Sequence, residues 1–224
     1  MKDSEITNVA VTEDAYECTV TVDCAVFGYQ EGVLKLLLVQ KLTDPFKGQW
    51  LLPGGIIKKG QTAEEAVDNV LVNLTGIDNV HHRQVKCYSD VNRHPVKRVI
   101  TISFYGLVKP ENHPLIKKKN VNNIEWFRID QLPPLAFDHE LISDEALQKL
   151  KMNVEERLIL GELLPKKFTI TELQKLYEAL LDDRLDRRNF RKKILQKKLI
   201  KNIGEKKKGI KGAPDLFTLN DHKA

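Results

Sequence analysis

The chain has 224 residues, 42% hydrophobic and 30% charged, a balance that supports a packed globular protein and argues against disorder. Its three scattered cysteines, Cys18, Cys24 and Cys87, argue against a disulfide scaffold and against a zinc site. The polar start has no apolar leader, and no apolar run nears the roughly 20 residues of a membrane helix, which points to the cytoplasm and to no membrane partner.

Residues 1–16 are polar and read as loosely ordered. Residues 18–42 read as two β segments joined at Tyr29-Gln30-Glu31-Gly32. The first alternates at period 2 through Val20, Val22 and Cys24. The second is a nearly continuous apolar run, as expected of a strand covered on both faces. Pro53-Gly54-Gly55 marks a turn. A helix follows over 62–75: Thr62 and Glu65 fit a capping box, Ala66, Val67, Val70, Leu71 and Leu74 form an apolar stripe, and Gly76 is placed to stop it. Further strands are predicted at 84–90, 98–108 and 122–129. Strands flanking an amphipathic helix with hairpin-like links imply an α+β, mixed-sheet domain over residues 1–138.

From residue 139 the texture becomes helical. Residues 139–164 read as one long helix or two joined near Met152-Asn153. Helices are predicted at 169–181 and 185–199, the latter N-capped by Asp186, and then a strand, a Gly/Lys-rich tip at 204–212 and a strand. Three helices and a β-hairpin form the layout of a winged helix-turn-helix over residues 139–224.

Charge separates the two parts. Residues 1–150 hold 17 Lys and Arg against 20 Asp and Glu, whereas residues 151–224 hold 19 against 11. Within 184–211 the ratio is 13 to 2. Such asymmetry suggests a module that meets a polyanion. On a helical wheel Phe190 and Ile194 share one side, and Arg188, Asn189, Lys192 and Gln196 share the other, suited to base edges in a major groove. Arg187, Arg191, Lys193, Lys197 and Lys198 flank them and suit phosphates. Lys206, Lys207, Lys208 and Lys211 occupy the hairpin tip, where a wing would touch the duplex. A solvated basic face is the bland alternative. Single-stranded RNA is a weaker one, because the basic run lacks interleaved aromatics.

Residues 53–77 resemble the Nudix box, G-x5-E-x7-R-E-U-x-E-E-x-G-U, with U aliphatic. Gly55, Leu71, Gly76 and Ile77 match it. Gln61, Asn69, Val70, Asn73 and Leu74 stand where the catalytic pattern has Glu, Arg, Glu, Glu and Glu. A Nudix hydrolase needs that carboxylate cluster to hold Mg²⁺, a hard cation that demands anionic oxygens. Two amides and two aliphatic side chains cannot replace four carboxylates. No catalytic residue, metal site or cofactor is therefore expected, and the chain is not expected to be an enzyme.

A degenerate Nudix domain followed by a winged helix is similar to the Nudix-related transcriptional regulators, in a resemblance that spans nearly the whole chain from about residue 18. Residues 132–142 and 185–195 also look like that family's junction and recognition helix. The resemblance implies a homodimeric repressor that reads an inverted repeat in double-stranded DNA and senses a small effector without hydrolysing it. Loss of the whole acid set favours a neutral sugar such as L-arabinose, and hence control of sugar catabolism genes, with ADP-ribose or a related nucleotide second. Lys41, Asp90, Arg98, Asp138 and His139 are the polar candidates for effector contact. Trp50 and Trp126 fit sugar stacking less well than core packing. A Nudix hydrolase with a noncanonical site remains the enzymatic alternative, and an architectural or RNA-binding protein the third.

Overall fold

The structure, a computed structural model, describes residues 17–154, 157–209 and 212–220. Lys211 and the polar stretch 1–16 lie outside those residues.

β1 (Thr19–Gln30) and β2 (Val33–Lys41) form an antiparallel hairpin. Glu31 and Gly32 close it with φ of 54° and 83°, the paired positive values that match the twist of the flanking strands. β3 (Trp50–Leu51), β4 (Gly54–Ile56), α1 (Ala63–Thr75), β5 (His81–Tyr88), β6 (Val99–Val108) and β7 (Val121–Arg128) follow. The strands make one seven-stranded mixed sheet of order β3-β2-β1-β6-β5, with β4 also on β1 and β7 also on β2. β1 and β6 run parallel over ten paired positions, and the remaining pairings are antiparallel. β5 starts three residues before the predicted strand, because the pairing of His81 with Leu107 extends it along β6.

Alternation along β1 sorts its side chains between two covers. Val22, Cys24 and Val26 pack with Val67 and Leu71 of α1. Ala25 and Phe27 pack with Ile142, Ala146 and Leu150 of α2 (His139–Met152). The apolar run of β2 divides likewise, Leu37 toward α1 and Leu34, Leu36 and Leu38 toward α2. Both faces are therefore dry, and α1 is held at its start by reciprocal Thr62–Glu65 hydrogen bonds of 2.9 and 3.1 Å. Gly76, at φ 78°, ends it in the left-handed region that a side chain would resist.

The remaining elements are α3 (Arg157–Leu163), α4 (Ile170–Leu181), α5 (Arg187–Gln196), β8 (Ile200–Lys206) and β9 (Asp215–Leu219). The 139–164 stretch is thus two helices. A second capping box, Thr169 with Glu172, starts α4. Asp186 caps α5 by accepting from the Asn189 N–H at 2.8 Å. β8 and β9 pair antiparallel as the wing. Phe168 and Phe217 exchange backbone hydrogen bonds of 3.0 and 2.8 Å, tying the wing to the segment before α4. The core under α2 continues without a break through Leu173, Leu180, Phe190 and Phe217. Among the described residues no helix is long and apolar enough to cross a membrane.

Candidate functional site

The loop and helix of the Nudix box retain their frame but not their carboxylates. A Cβ built on Gly55 would lie 2.8 Å from Val70 Cγ2, so the branched side chain fills the space beside the loop where the pattern has a glutamate. Gln61 accepts from the Lys58 N–H at 3.0 Å, and Asn69 donates to the Glu65 carbonyl at 2.8 Å. Asn73 is exposed and Leu74 half-buried. Two of the nearby acids are engaged otherwise: Glu65 caps α1, and Asp68 meets His82 Nε2 at 3.0 Å. Among the described residues no group of three or more His, Cys, Asp or Glu is arranged to hold a metal ion. These donors do not fit the Mg²⁺ that a Nudix hydrolase requires.

A cavity of about 240 Å³ opens between this loop and the first turn of α2. Its wall carries Lys41, Arg93, His94 and Lys97, with Thr21, Asp23, Thr101 and His139 deeper. Arg93 is the organising cation. Its Nε and Nη2 donate to the two oxygens of Asp138 at 2.8 and 2.7 Å, and its Nη1 donates to Thr101 Oγ1 at 2.5 Å. The Thr101 and Thr21 hydroxyls are 2.6 Å apart across the parallel β1–β6 pair. Its side chain is only 6% exposed, so this fork is held largely out of water.

Beneath Arg93, Asp23 and His139 form a buried couple. The Leu52 N–H donates to His139 Nδ1 at 3.0 Å. That bond leaves the proton of a neutral ring on Nε2, which lies 3.6 Å from Asp23 Oδ2, beyond hydrogen-bond range. Burial pushes the Asp23 carboxyl up, against the pull of His139 and Arg93, and pushes the His139 imidazole down. Both shifts favour neutral forms. A Cβ on Gly54 would fall 1.8 Å from Asp23 Oδ1, so only glycine lets the loop close over this carboxyl.

Of the predicted effector residues, Lys41 and His139 line this cavity and Asp138 borders it through Arg93. Lys41 Nζ donates to the Thr43 carbonyl at 3.0 Å. Asp90 and Arg98 are joined to each other instead, Arg98 Nη1 donating to the Asp90 carbonyl at 2.9 Å, and Arg98 lines an adjoining surface pocket with Val91, Asn92, Pro95 and Val96 that shares His94 and Lys97 with the cavity. Trp50 packs edge-on to Phe127 and Trp126 packs under α1. Sequence reading missed Asp23, Arg93, His94, Lys97 and Thr101. A signal existed for two of them: a carboxylate inside a buried strand, and a threonine inside another, stand out once β1 and β6 are paired in register.

The second candidate surface is α5. Phe190 and Ile194 are 6% and 1% exposed, with Phe190 edge-on to Tyr177 at 5.2 Å. Arg187, Arg188, Asn189, Arg191, Lys192, Lys193, Gln196 and Lys197 are all exposed. Lys206 and Lys208 are exposed on the wing, but Lys207 turns back to an ion pair with Glu172, the capping residue of α4.

The family models match in two blocks, a NUDIX domain over residues 19–150 and an NrtR DNA-binding winged helix domain over residues 160–219. The ADPR responsive transcriptional repressor NtrR of Acinetobacter baylyi is 28% identical over 90% of this chain and 83% of its own length. An ADP-ribose pyrophosphatase of Methanocaldococcus jannaschii is 36% identical over 53% of this chain and 69% of its own. The crystal structure of Shewanella oneidensis NrtR with a 27mer DNA superposes with a TM-score of 0.76 at 28% identity, covering 90% of this chain and 93% of that one. The NUDIX domain of the same protein with ADP ribose superposes with a TM-score of 0.56 at 28% identity, covering 62% and 93%. These relatives name ADP-ribose and no sugar, which corrects the expectation of L-arabinose and sugar catabolism. Physically, the cavity wall carries Lys41, Arg93 and Lys97, cations on which the replaced box acids gave no information. The chain belongs to the Nudix family, with an NrtR-type winged helix following its Nudix domain.

Proposed function

We propose that this protein is a DNA-binding transcriptional repressor whose Nudix domain binds ADP-ribose without hydrolysing it, and that ligand binding releases the operator. The carrying observation is the face of α5, where eight basic or amide side chains are exposed and two apolar ones anchor the helix. That is the surface a recognition helix offers to a major groove. The cationic cavity supports a diphosphate ligand, and the replaced box acids support binding without turnover.

In this reading the effector domain runs through α2, and the joint lies between α2 and α3. Two copies on a two-fold axis would read an inverted repeat, with half-sites about one helical turn or a multiple apart. Lys41, Arg93 and Lys97 are the proposed ligand contacts, and the buried His139 stands behind them. Asp90 and Arg98 belong to the neighbouring loop.

The test is fluorescence anisotropy on a labelled duplex from upstream of the protein's own gene, at fixed near-physiological salt, against scrambled DNA. ADP-ribose is added in one arm and L-arabinose in another. Sequence-specific binding released by ADP-ribose alone is expected. Equal binding to both duplexes, unmoved by ligand, overturns the proposal. The 36% identity to a pyrophosphatase keeps a hydrolase reading open, so the same preparation is incubated with ADP-ribose and Mg²⁺. Appearance of AMP and ribose phosphate would replace binding by catalysis.

A further inference from the structure

Both walls of the cavity are fastened to one turn of α2. The Leu52–Gly54 side is held by the Leu52 N–H on His139 and by Asp23 against Gly54. The opposite wall, residues 89–98, is held through the two bonds of Arg93 to Asp138, the residue immediately before His139. The far end of α2 meets the DNA-binding half. Leu150 and Val154 share one buried cluster with Leu180, Phe190 and Ile194. Met152 and Val154 also line a cavity of about 510 Å³ with Asn189 and Lys193, which are candidate DNA contacts. Fourteen helical residues span about 21 Å, so α2 is a rod with one end on each site.

We infer that the Asp138–His139 turn is the coupling element, with His139 a positioning residue that carries cavity occupancy into α2 through its bond from Leu52. This rests on the proposed function. A ligand anion that draws Arg93 from Asp138, or shifts the Leu52–Gly55 loop, changes the hold on the N-terminal turn of α2. A rigid helix with a changed anchor repacks at its other end, against α4 and α5. The ligand then binds the two arrangements unequally, which is the thermodynamic requirement for release. The 510 Å³ cavity leaves α5 room to move relative to α2.

The experiment measures DNA affinity of the full chain with no ligand and with saturating ADP-ribose, and takes the ratio. At saturation a change in ligand affinity does not enter that ratio. The wild-type ratio is expected in the range typical of such coupling, about 5–150-fold. His139→Asn keeps an acceptor near the Leu52 N–H and should retain most of it. His139→Gln moves the acceptor toward Asp23, leaves that N–H unmet, and should bring the ratio below about twofold. Asp138→Asn, at the partly exposed mouth, loses half the fork and should also lower it; it carries the test if His139→Gln fails to fold. A full wild-type ratio in His139→Gln, or in Asp138→Asn alone, overturns the inference. So does a His139→Gln protein that folds but no longer takes up ADP-ribose, because His139 is then a ligand contact and not a relay. A wild-type ratio of one is a different failure: it overturns the proposed function and the coupling with it.

Discussion

Gly55 and Val70 are in direct contact across the loop–helix junction, with room between them for no more than a hydrogen on the glycine. The contact couples their substitutions. Gly55→Ala forces a methyl against a β-branched side chain that cannot rotate freely away, an overpacking expected to cost about 1–3 kcal/mol. Val70→Ala opens the space and should recover most of that loss. A double-mutant cycle in urea should therefore show strong non-additivity, and additive losses would mean the contact is not what excludes a side chain at residue 55. Restoring one acid by Val70→Glu is expected to lower stability without creating Mg²⁺-dependent turnover of ADP-ribose, since Gln61, Asn73 and Leu74 still supply no carboxylate.

The Arg93–Asp138 pair should respond asymmetrically. Arg93 is 6% exposed and Asp138 21%. Asp138→Ala strands a guanidinium with little access to water, a loss of about 3 kcal/mol, at the low end for buried pairs. Arg93→Met leaves a carboxylate that sits at the α2 N-terminus and can reach solvent, so it should cost less. Urea midpoints of the two variants settle the order, and equal losses would contradict it.

The buried couple fixes the direction of the acid limb. His139 is held neutral in the fold, while the unfolded imidazole takes a proton near 6.5. Stability contributed by His139 is therefore present above about pH 6.5 and is lost as pH falls below it. His94, depressed by burial and by Lys97, has the same sign. Asp23 has the opposite sign: its raised carboxyl keeps a proton in the fold above 3.8, so acidification favours folding through it. Asp23→Asn removes both that gain and the attraction that eases His139 protonation. Its urea midpoint should fall more steeply with acidification than that of the wild type, and a shallower fall would refute the assignment.

Much of the fold was legible because its local signals agreed with each other. Thr62-x-x-Glu65 and Gly76 bracketed α1, the periodicity of Phe190 and Ile194 turned α5 the right way, and the alternation of β1 placed its core. The cavity was less legible for a topological reason. Arg93, Thr101 and Asp138 are brought together by long loops and by the parallel β1–β6 pair, a register that no local pattern specifies. The absent box acids pointed away from metal chemistry. They carried no information on the cations of the opposite wall, and the sugar expectation arose there. Lys207 shows the same limit in the wing: its charge was readable, but its pairing with Glu172 was not.

Exposure separates two classes of lysine on the DNA-binding half. Lys197 is exposed just past the end of α5, whereas Lys207 is half-buried against the α4 cap. If Lys197 neutralises one phosphate, Lys197→Ala should weaken binding to specific and scrambled duplexes alike and reduce the slope of log K against log salt by about 0.9. Arg188→Ala should act differently, lowering discrimination between the two duplexes by about 1–3 kcal/mol if it reads a base edge. Lys207→Ala should leave the salt slope nearly unchanged and instead lower the urea midpoint, because Glu172 loses the partner that helps hold its carboxyl below the usual range and steady in the cap. A slope loss as large as that of Lys197→Ala would place Lys207 on the phosphate backbone, and its ion pair with Glu172 would then have to open on the duplex.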